Sequence, residues 1–440
     1  MLGQNAEYNS SIPLAANGKK VTFNIEGVPA SATMLNAVNA PVNIQNTKLR
    51  FMPIMSSPLI VGDNLTLVNN TTGTPANERA AARLGFSRAL FFSLQKQGNA
   101  LNAEYTKMDA NPQVKSLSEA QATGLGLANM GGDLVAGAGM SNARQASNLN
   151  SNLAPAGGLQ AGSYGLVPFF ALSGSSLRYN TGSHTDVNGM ALVVGLAKKW
   201  QCSTTDLLLG TFFEGSWGSY TSHNSFDSVA MDSVKGKGDV QGLGGGLLAR
   251  LELTESIMKG LYSEASLRLG SLSTDYHSDD LLDLSGNRAS YDTNNLYYGA
   301  HFGLGYVWTI TEQANLDTYA KYFWTHQNGG SVTVLEDKIN FNDSDSHRTR
   351  LGTRFSYIIN EAITPYIGAA WEYEFDGKAT ATTYGYSVPA PSLKGSTGLG
   401  ELGLSWTPSN AQSFSLDFGV QGYTGMREGV SGSLELKYEF

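Results

Sequence analysis

From about Tyr164 onward the chain alternates apolar and polar residues in segments of roughly ten, and about twelve such segments precede its last residue. The clearest places Leu296, Tyr298, Ala300, Phe302, Leu304, Tyr306 and Trp308 on one face, with Gly299, His301, Gly303 and Gly305 between them. In the neighbouring segments Leu316, Ala320, Tyr322 and Trp324 oppose Asp317 and Lys321, and Leu351, Phe355 and Tyr357 oppose Arg348, Arg350 and Arg354. Ile367, Ala369, Trp371, Tyr373 and Phe375 likewise oppose Glu372 and Glu374. A period of two predicts strands with one apolar and one charged face.

The links between segments also alternate. Those from Cys202 to Thr205, Thr254 to Lys259, Thr311 to Ala314, Asn360 to Ala362 and Pro408 to Ala411 are short. Those from His223 to Ser233, Asp275 to Asn294, Asn328 to Ser346 and Asp376 to Lys394 are long and polar. Short turns on one side and long loops on the other are the arrangement of an outer-membrane barrel, with the long loops extracellular. Tyr179, Trp200, Trp217, Tyr306, Trp308, Trp324, Trp371 and Trp406 fall near segment ends, where an interfacial girdle is expected. The last segment keeps Val430, Leu434, Leu436, Tyr438 and Phe440 on one face and Ser431, Ser433, Glu435, Lys437 and Glu439 on the other. The predicted fold is all-β, a roughly 12-stranded antiparallel transmembrane β-barrel. Its lumen is lined by Arg250, Glu252, Glu264, Arg268, Lys321, Arg350, Arg354, Glu372, Glu374, Glu401, Glu435 and Lys437. At about twelve strands the bore is intermediate between a filled and an open barrel, wide enough for one slender element.

Such an element precedes the barrel. Ser116 with Glu119 three residues later is a capping-box pattern that predicts a helix start, and the run to Ser147 is rich in Ala and Gly. Glycines 124, 126, 131 and 132 lower helix propensity but keep a helix thin. Further upstream, Val21 to Ile25, Val42 to Ile44, Leu49 to Phe51, Leu59 to Val61 and Leu65 to Val68 read as short strands. Ala89 to Leu94 and Ala100 to Tyr105 read as a hairpin around Gly98 and Asn99. Short strands parted by Asn, Gly and Pro suit the last coils of a solenoid.

Asn111-Pro-Gln-Val-Lys-Ser-Leu-Ser-Glu-Ala120, then Gly131-Gly-Asp-Leu-Val-Ala136, about twelve strands and the terminal Phe440 together resemble the translocator end of a type Va autotransporter. The resemblance covers roughly residue 60 to the end. It implies a β-helical passenger remnant over 1–110, a linker over 111–160 whose α-helix threads the lumen, and a barrel over 161–440. It also implies export and anchoring of the chain's own passenger at the surface of a Gram-negative cell. The implied partners are outer-membrane lipid, periplasmic chaperones and the barrel-assembly machinery, which reads the strand ending in Tyr438 and Phe440. Some members cut the linker at an Asn-Asn bond inside the lumen with acidic wall residues assisting. Here Asn148, Asn150 and Asn152 lie at a comparable place, with Glu264, Glu372 or Glu374 as candidate wall partners. The Asn-Asn pair is missing, so an uncut linker is expected.

No run of about 18 apolar residues exists, which excludes a helical membrane protein. Net charge of −8 argues against nucleic acid as partner. One cysteine, Cys202, allows no internal disulfide. The first residues carry no basic stretch followed by an apolar core, so an exported chain of this kind is expected to be a piece of a longer one. Six histidines lack metal-ligand spacing, the glycines from 236 to 246 precede no Lys-Ser/Thr, and no G-x-S-x-G occurs. Neither metal, cofactor nor enzymatic activity is therefore expected. Two other readings are a porin-like channel and an adhesin acting through the loops from Asp275 to Asn294 and Asp376 to Lys394.

Overall fold

The computed structural model describes residues 3–145, 166–255, 257–360, 362–408 and 414–438. The alternating segments form β1 (Val167–Tyr179), β2 (His184–Gln201), β3 (Thr205–Phe226), β4 (Met231–Leu253), β5 (Leu261–Leu282) and β6 (Arg288–Thr309). They continue as β7 (Ala314–Gln327), β8 (Ser344–Tyr357), β9 (Ile363–Glu374), β10 (Gly395–Trp406), β11 (Phe414–Gly425) and β12 (Arg427–Tyr438). Each pairs with its neighbours in chain order, and β1 pairs antiparallel with β12 from Phe170 against Leu436 to Tyr179 against Arg427. Closure of the twelve strands leaves the wall without an unpaired edge. Leu243, Leu247, Leu267, Leu269, Phe302 and Phe213 stand on its exposed outer face, Phe213 at 80% exposure. An exposed apolar belt on this scale is covered by lipid, not water.

Two expectations change here. The long polar connections are largely structured. β3 and β4 rise to a short helical turn at Asp227–Val229, and β5 and β6 extend until only residues 283–287 connect them. The other two connections supply Gly330–Val334, Asp337–Phe341, Ala381–Thr383 and Tyr386–Val388, which join as a four-stranded sheet above the lumen. Polar composition hid this because strands outside the membrane have no apolar outer face to advertise them. Tyr179, expected in the girdle, instead points inward, and its ring meets the helix at Gly126. The outer face of β1 there carries Arg178.

Upstream, residues 3–110 form a small solenoid closed by an antiparallel sheet. Leu14 pairs in parallel with Val42 and Lys20 with Lys48, a spacing of 28 residues per coil in both cases. The interior is apolar, with Phe23, Ile25, Met34, Leu65 and Phe92 fully buried, and Phe51 and Phe92 in ring contact at 4.6 Å. Val21 to Ile25, Val42 to Ile44, Leu49 to Phe51 and Leu65 to Val68 contribute strands, but Leu59 to Val61 does not; Leu59 is buried in an irregular stretch. Arg79–Leu84, Arg88–Gln97 and Ala100–Ala110 form the antiparallel end, which faces the barrel. Ending a parallel stack with a hairpin stops further coils from adding on that side.

The lumenal helix and its wall

The hairpin hands the chain to Asn111, whose carboxamide accepts from Gln113 N at 3.1 Å and caps a turn at Pro112–Val114. From there α1 (Lys115–Leu134) enters the barrel, widens into a π-helical turn at Val135–Gly139, and continues through residues 140–145. The expected capping box is not made. Ser116 bonds Tyr276 of the wall, and Glu119 turns outward to Thr181 (3.0 Å), Ser183 (2.8 Å) and Thr185 (3.1 Å), with Lys115 at 3.2 Å. Asn111 already caps the entry, which frees both side chains to tie the helix to the wall.

The glycines have a geometric role. A Cβ at Gly131 would stand 3.1 Å from the Arg268 guanidinium and one at Gly132 3.0 Å from it, so α1 lies directly on the ion pair of Arg268 with Glu214 (2.9 Å). Close approach lets wall cations reach main-chain carbonyls. Arg268 donates to Ala128 O (3.1 Å), Arg348 to Asn129 O (3.4 Å) and Lys321 to Ala136 O (2.6 Å). On the wall, Gly244 makes room for the Tyr297 hydroxyl, 2.4 Å from where its Cβ would be, and Gly236 does so for the Tyr276 ring. These inward glycines of β4 exist for side-chain clearance.

The centre of the site is Asp133. Its Oδ1 accepts from Arg348 (2.9 Å) and Arg350 (2.8 Å), and its Oδ2 from Arg427 (2.9 Å). Glu372 meets the same three arginines, at 3.2 Å, 2.6 Å and 3.0 Å. Three guanidinium groups are thereby shared by two carboxylates, one from the helix and one from β9. Below this clasp the lumen holds a cavity of about 480 Å³ bordered by Arg250, Lys321, Arg354, Glu401, Asp417 and Glu435. At the far end Asn142 donates to Phe170 O (2.7 Å) and Leu436 O (3.2 Å), across the seam where β1 meets β12, and Arg144 pairs with Glu252 (2.5 Å).

Most sequence-predicted wall residues thus form ion pairs around the helix or the cavity. Arg250 pairs with Glu264 (2.6 Å) and Glu252, Lys321 with Glu264 (2.7 Å), and Arg354 with Glu401 (2.6 and 3.0 Å). Glu374 accepts from Ser346 and from His347 N (2.8 Å). Lys437 and Tyr438 are placed by their backbone in β12, while Phe440 and the linker residues Asn148, Asn150 and Asn152 lie outside the described residues. Sequence reasoning did not single out Asp133, Arg427 or Glu214. Strand parity marks Arg427 and Glu214 as inward, and Asp133 is the sole acidic residue between Ala120 and Gln145.

The solenoid sits on the extracellular hairpins. Arg50 donates to Ala230 O (2.8 Å) and pairs with Asp232, Lys48 pairs with Asp227 (2.5 Å), and Ser87 N donates to Asp337 (2.9 Å). The Arg88 guanidinium lies 4.4 Å from the Tyr384 ring centre. The hydrogen bond from Arg50 holds the Asp232 carboxyl below the usual carboxylate range.

A twelve-stranded barrel threaded by a helix that descends from an extracellular solenoid defines an outer-membrane translocator. The family model "Autotransporter beta-domain" matches residues 169–419, more than half of the chain, and the chain belongs to that family. It is an outer-membrane translocator of type V secretion, associated with membrane lipid and with its own passenger. The family is one of transport and structure, and a porin is not the favoured reading. Similar solved structures include the beta domain of the Bordetella autotransporter BrkA (17% identity, TM-score 0.49, covering 62% of this chain and 99% of that one). The transport unit of AIDA-I from Escherichia coli has 17% identity and a TM-score of 0.48, covering 68% and 98%. The translocator domain of NalP from Neisseria meningitidis has 13% identity and a TM-score of 0.47, covering 70% and 98%. No curated protein matches the chain.

Proposed function

We propose that this translocator keeps its passenger attached after export, through a helix latched at Asp133. In this reading residues 1–110 are the end of the passenger, 111–160 the linker and 161–440 the barrel. The direction of threading is the observation that supports it: the solenoid rests on the extracellular hairpins, and Asn142 and Arg144 reach the opposite end of the wall. Breaking a buried ion pair on one side leaves an uncompensated charge, whereas the intact pair adds little net stability. The clasp therefore specifies register. Helix positions one turn away from Asp133 present Asn129 or Gly137 to the three arginines, leaving them a single carboxylate, so the helix comes to rest where it is.

The barrel-assembly machinery reads the last strand through Tyr438 and Phe440, periplasmic chaperones deliver the chain, and the linker near Asn148 to Asn152 stays uncut. No cofactor and no catalysis by this chain enter this scheme. The test is the chain behind an added signal peptide in a Gram-negative host, tagged at residue 1. A heat-modifiable band with a protease-accessible tag is expected, together with small-solute conductance that appears only when 116–147 are deleted. Conductance by the full chain equal to that of the deletion would overturn the plugged reading in favour of a porin.

A further inference from the structure

We propose that the outer rim of the barrel carries a binding site for a divalent transition-metal ion, made by His184 and Asp186 of β2 and His223 of β3. His184 and His223 are register partners, and Asp186 is two residues along β2, so all three side chains share the outward face. One imidazole nitrogen of each histidine and a carboxylate oxygen of Asp186 lie within 4.8 Å of one another. His223 Nε2 is 3.8 Å from Asp186 Oδ2, and the two rings stack with centres 4.6 Å apart. Cross-strand neighbours with Cβ atoms about 5 Å apart need only side-chain rotation to bring three donors onto one ion at about 2.1 Å.

The carboxylate is already oriented for this. Arg178 on β1 donates to both oxygens of Asp186, Nε to Oδ1 (2.6 Å) and Nη2 to Oδ2 (3.0 Å), which fixes the carboxylate plane and leaves each oxygen a second lone pair, although its charge opposes a cation. Two imidazoles and one carboxylate select Zn²⁺, Ni²⁺ or Co²⁺ over Ca²⁺ or Mg²⁺, and three protein donors leave a coordination position open. The site stands above the apolar belt. The outward pair Met190 and Trp217 is six residues below it along β2, about 20 Å of strand, and Asn188, Ser219 and Thr221 occupy the outward positions between. The ion is accordingly an exchangeable one, taken from the medium at the cell surface. Histidine spacing in the sequence conceals the site because its ligands come from two strands. Lys235 on β4 is the register partner of His223 and opposes a cation there.

The experiment is calorimetric titration of the folded full chain, carrying no histidine tag, with Zn²⁺ at neutral pH, and with Co²⁺ followed by its visible absorption. One equivalent is expected to bind, with a tetrahedral Co²⁺ spectrum. His184→Gln and His223→Gln each abolish it, Asp186→Asn weakens it at least tenfold, Lys235→Gln tightens it a few-fold, and His277→Gln leaves it unchanged. Heat-modifiable mobility of every variant separates lost ligands from lost fold. Saturable binding that survives the double substitution of His184 and His223, or no saturable binding of either ion, would overturn the assignment. Binding of inorganic phosphate lost in the same variants would replace it with an anion site.

Discussion

The solenoid and the barrel lumen are both interiors, and they differ in the charge they bury. Inside the solenoid Phe23, Phe51, Phe92 and Tyr105 form a ladder of rings with successive centres 6.5, 4.6 and 5.6 Å apart, and water is excluded by apolar contact. Inside the barrel the apolar contacts of Leu117, Leu125, Leu127, Phe212 and Leu248 are interrupted by Asp133, Glu372 and three arginines, with Arg268 on Glu214 beside them. The cause is what lies outside. The solenoid faces water and can place its apolar residues only inward, while the barrel faces lipid and carries them on its outer wall as well as against the helix. The lumen therefore also holds polar residues, whose charges must be paired. A dry core makes contacts that tolerate small shifts, but a paired charge fixes one register, which suits a chain that must pass through and then stop.

The largest effect that would sharpen this contrast is in the dry core. Phe92→Ala should cost about 3–5 kcal/mol of solenoid stability by denaturant unfolding, while the barrel's heat-modifiable band stays in place. Loss of that band would show that the two interiors fold as one. Asp133→Ala should cost about 3 kcal/mol at the helix, the low end for a broken buried pair because the adjoining cavity admits water. It should also raise the conductance of the barrel in planar bilayers, and an unchanged, closed barrel would show that the clasp holds nothing. On the lipid face, Leu243→Arg should cost about 2 kcal/mol in folding into bilayers, against little for Gln421→Arg on the inward face of β11, which borders the cavity. Equal costs would mean that the wall is not inside out.

Smallest is the docking of the solenoid on the hairpins. The Asp232 carboxyl is held below its ordinary range by Arg50, so its contribution is present at neutral pH and fades as pH falls below about 3.9, through the lowered folded value. Backbone hydrogen exchange around Ala230 and Asp232 should quicken there, while exchange around Phe92 does not change. Exposed pairs of this kind contribute little, and salt should mimic the acid effect.

Strand parity alone determined the wall. Because successive side chains of a strand point to opposite faces, Leu296 to Trp308 on one side and Arg348, Arg350 and Arg354 on the other could be assigned without knowing any partner, and the alternating link lengths oriented the whole. The N-terminal hairpin was legible for the same reason. Tertiary structure decided what parity cannot carry. The ring of Tyr179 found its place against a glycine of the helix, Glu119 left its cap for the wall, and the polar loops became strands by pairing with one another. Asp133 is one acid in a helix of small residues until three arginines from β8 and β12 surround it. His184 and His223 are 39 positions apart until the register of β2 and β3 sets them side by side. Local pattern fixes the direction in which a side chain points, but a site requires distances between strands, and those are set only when the barrel closes.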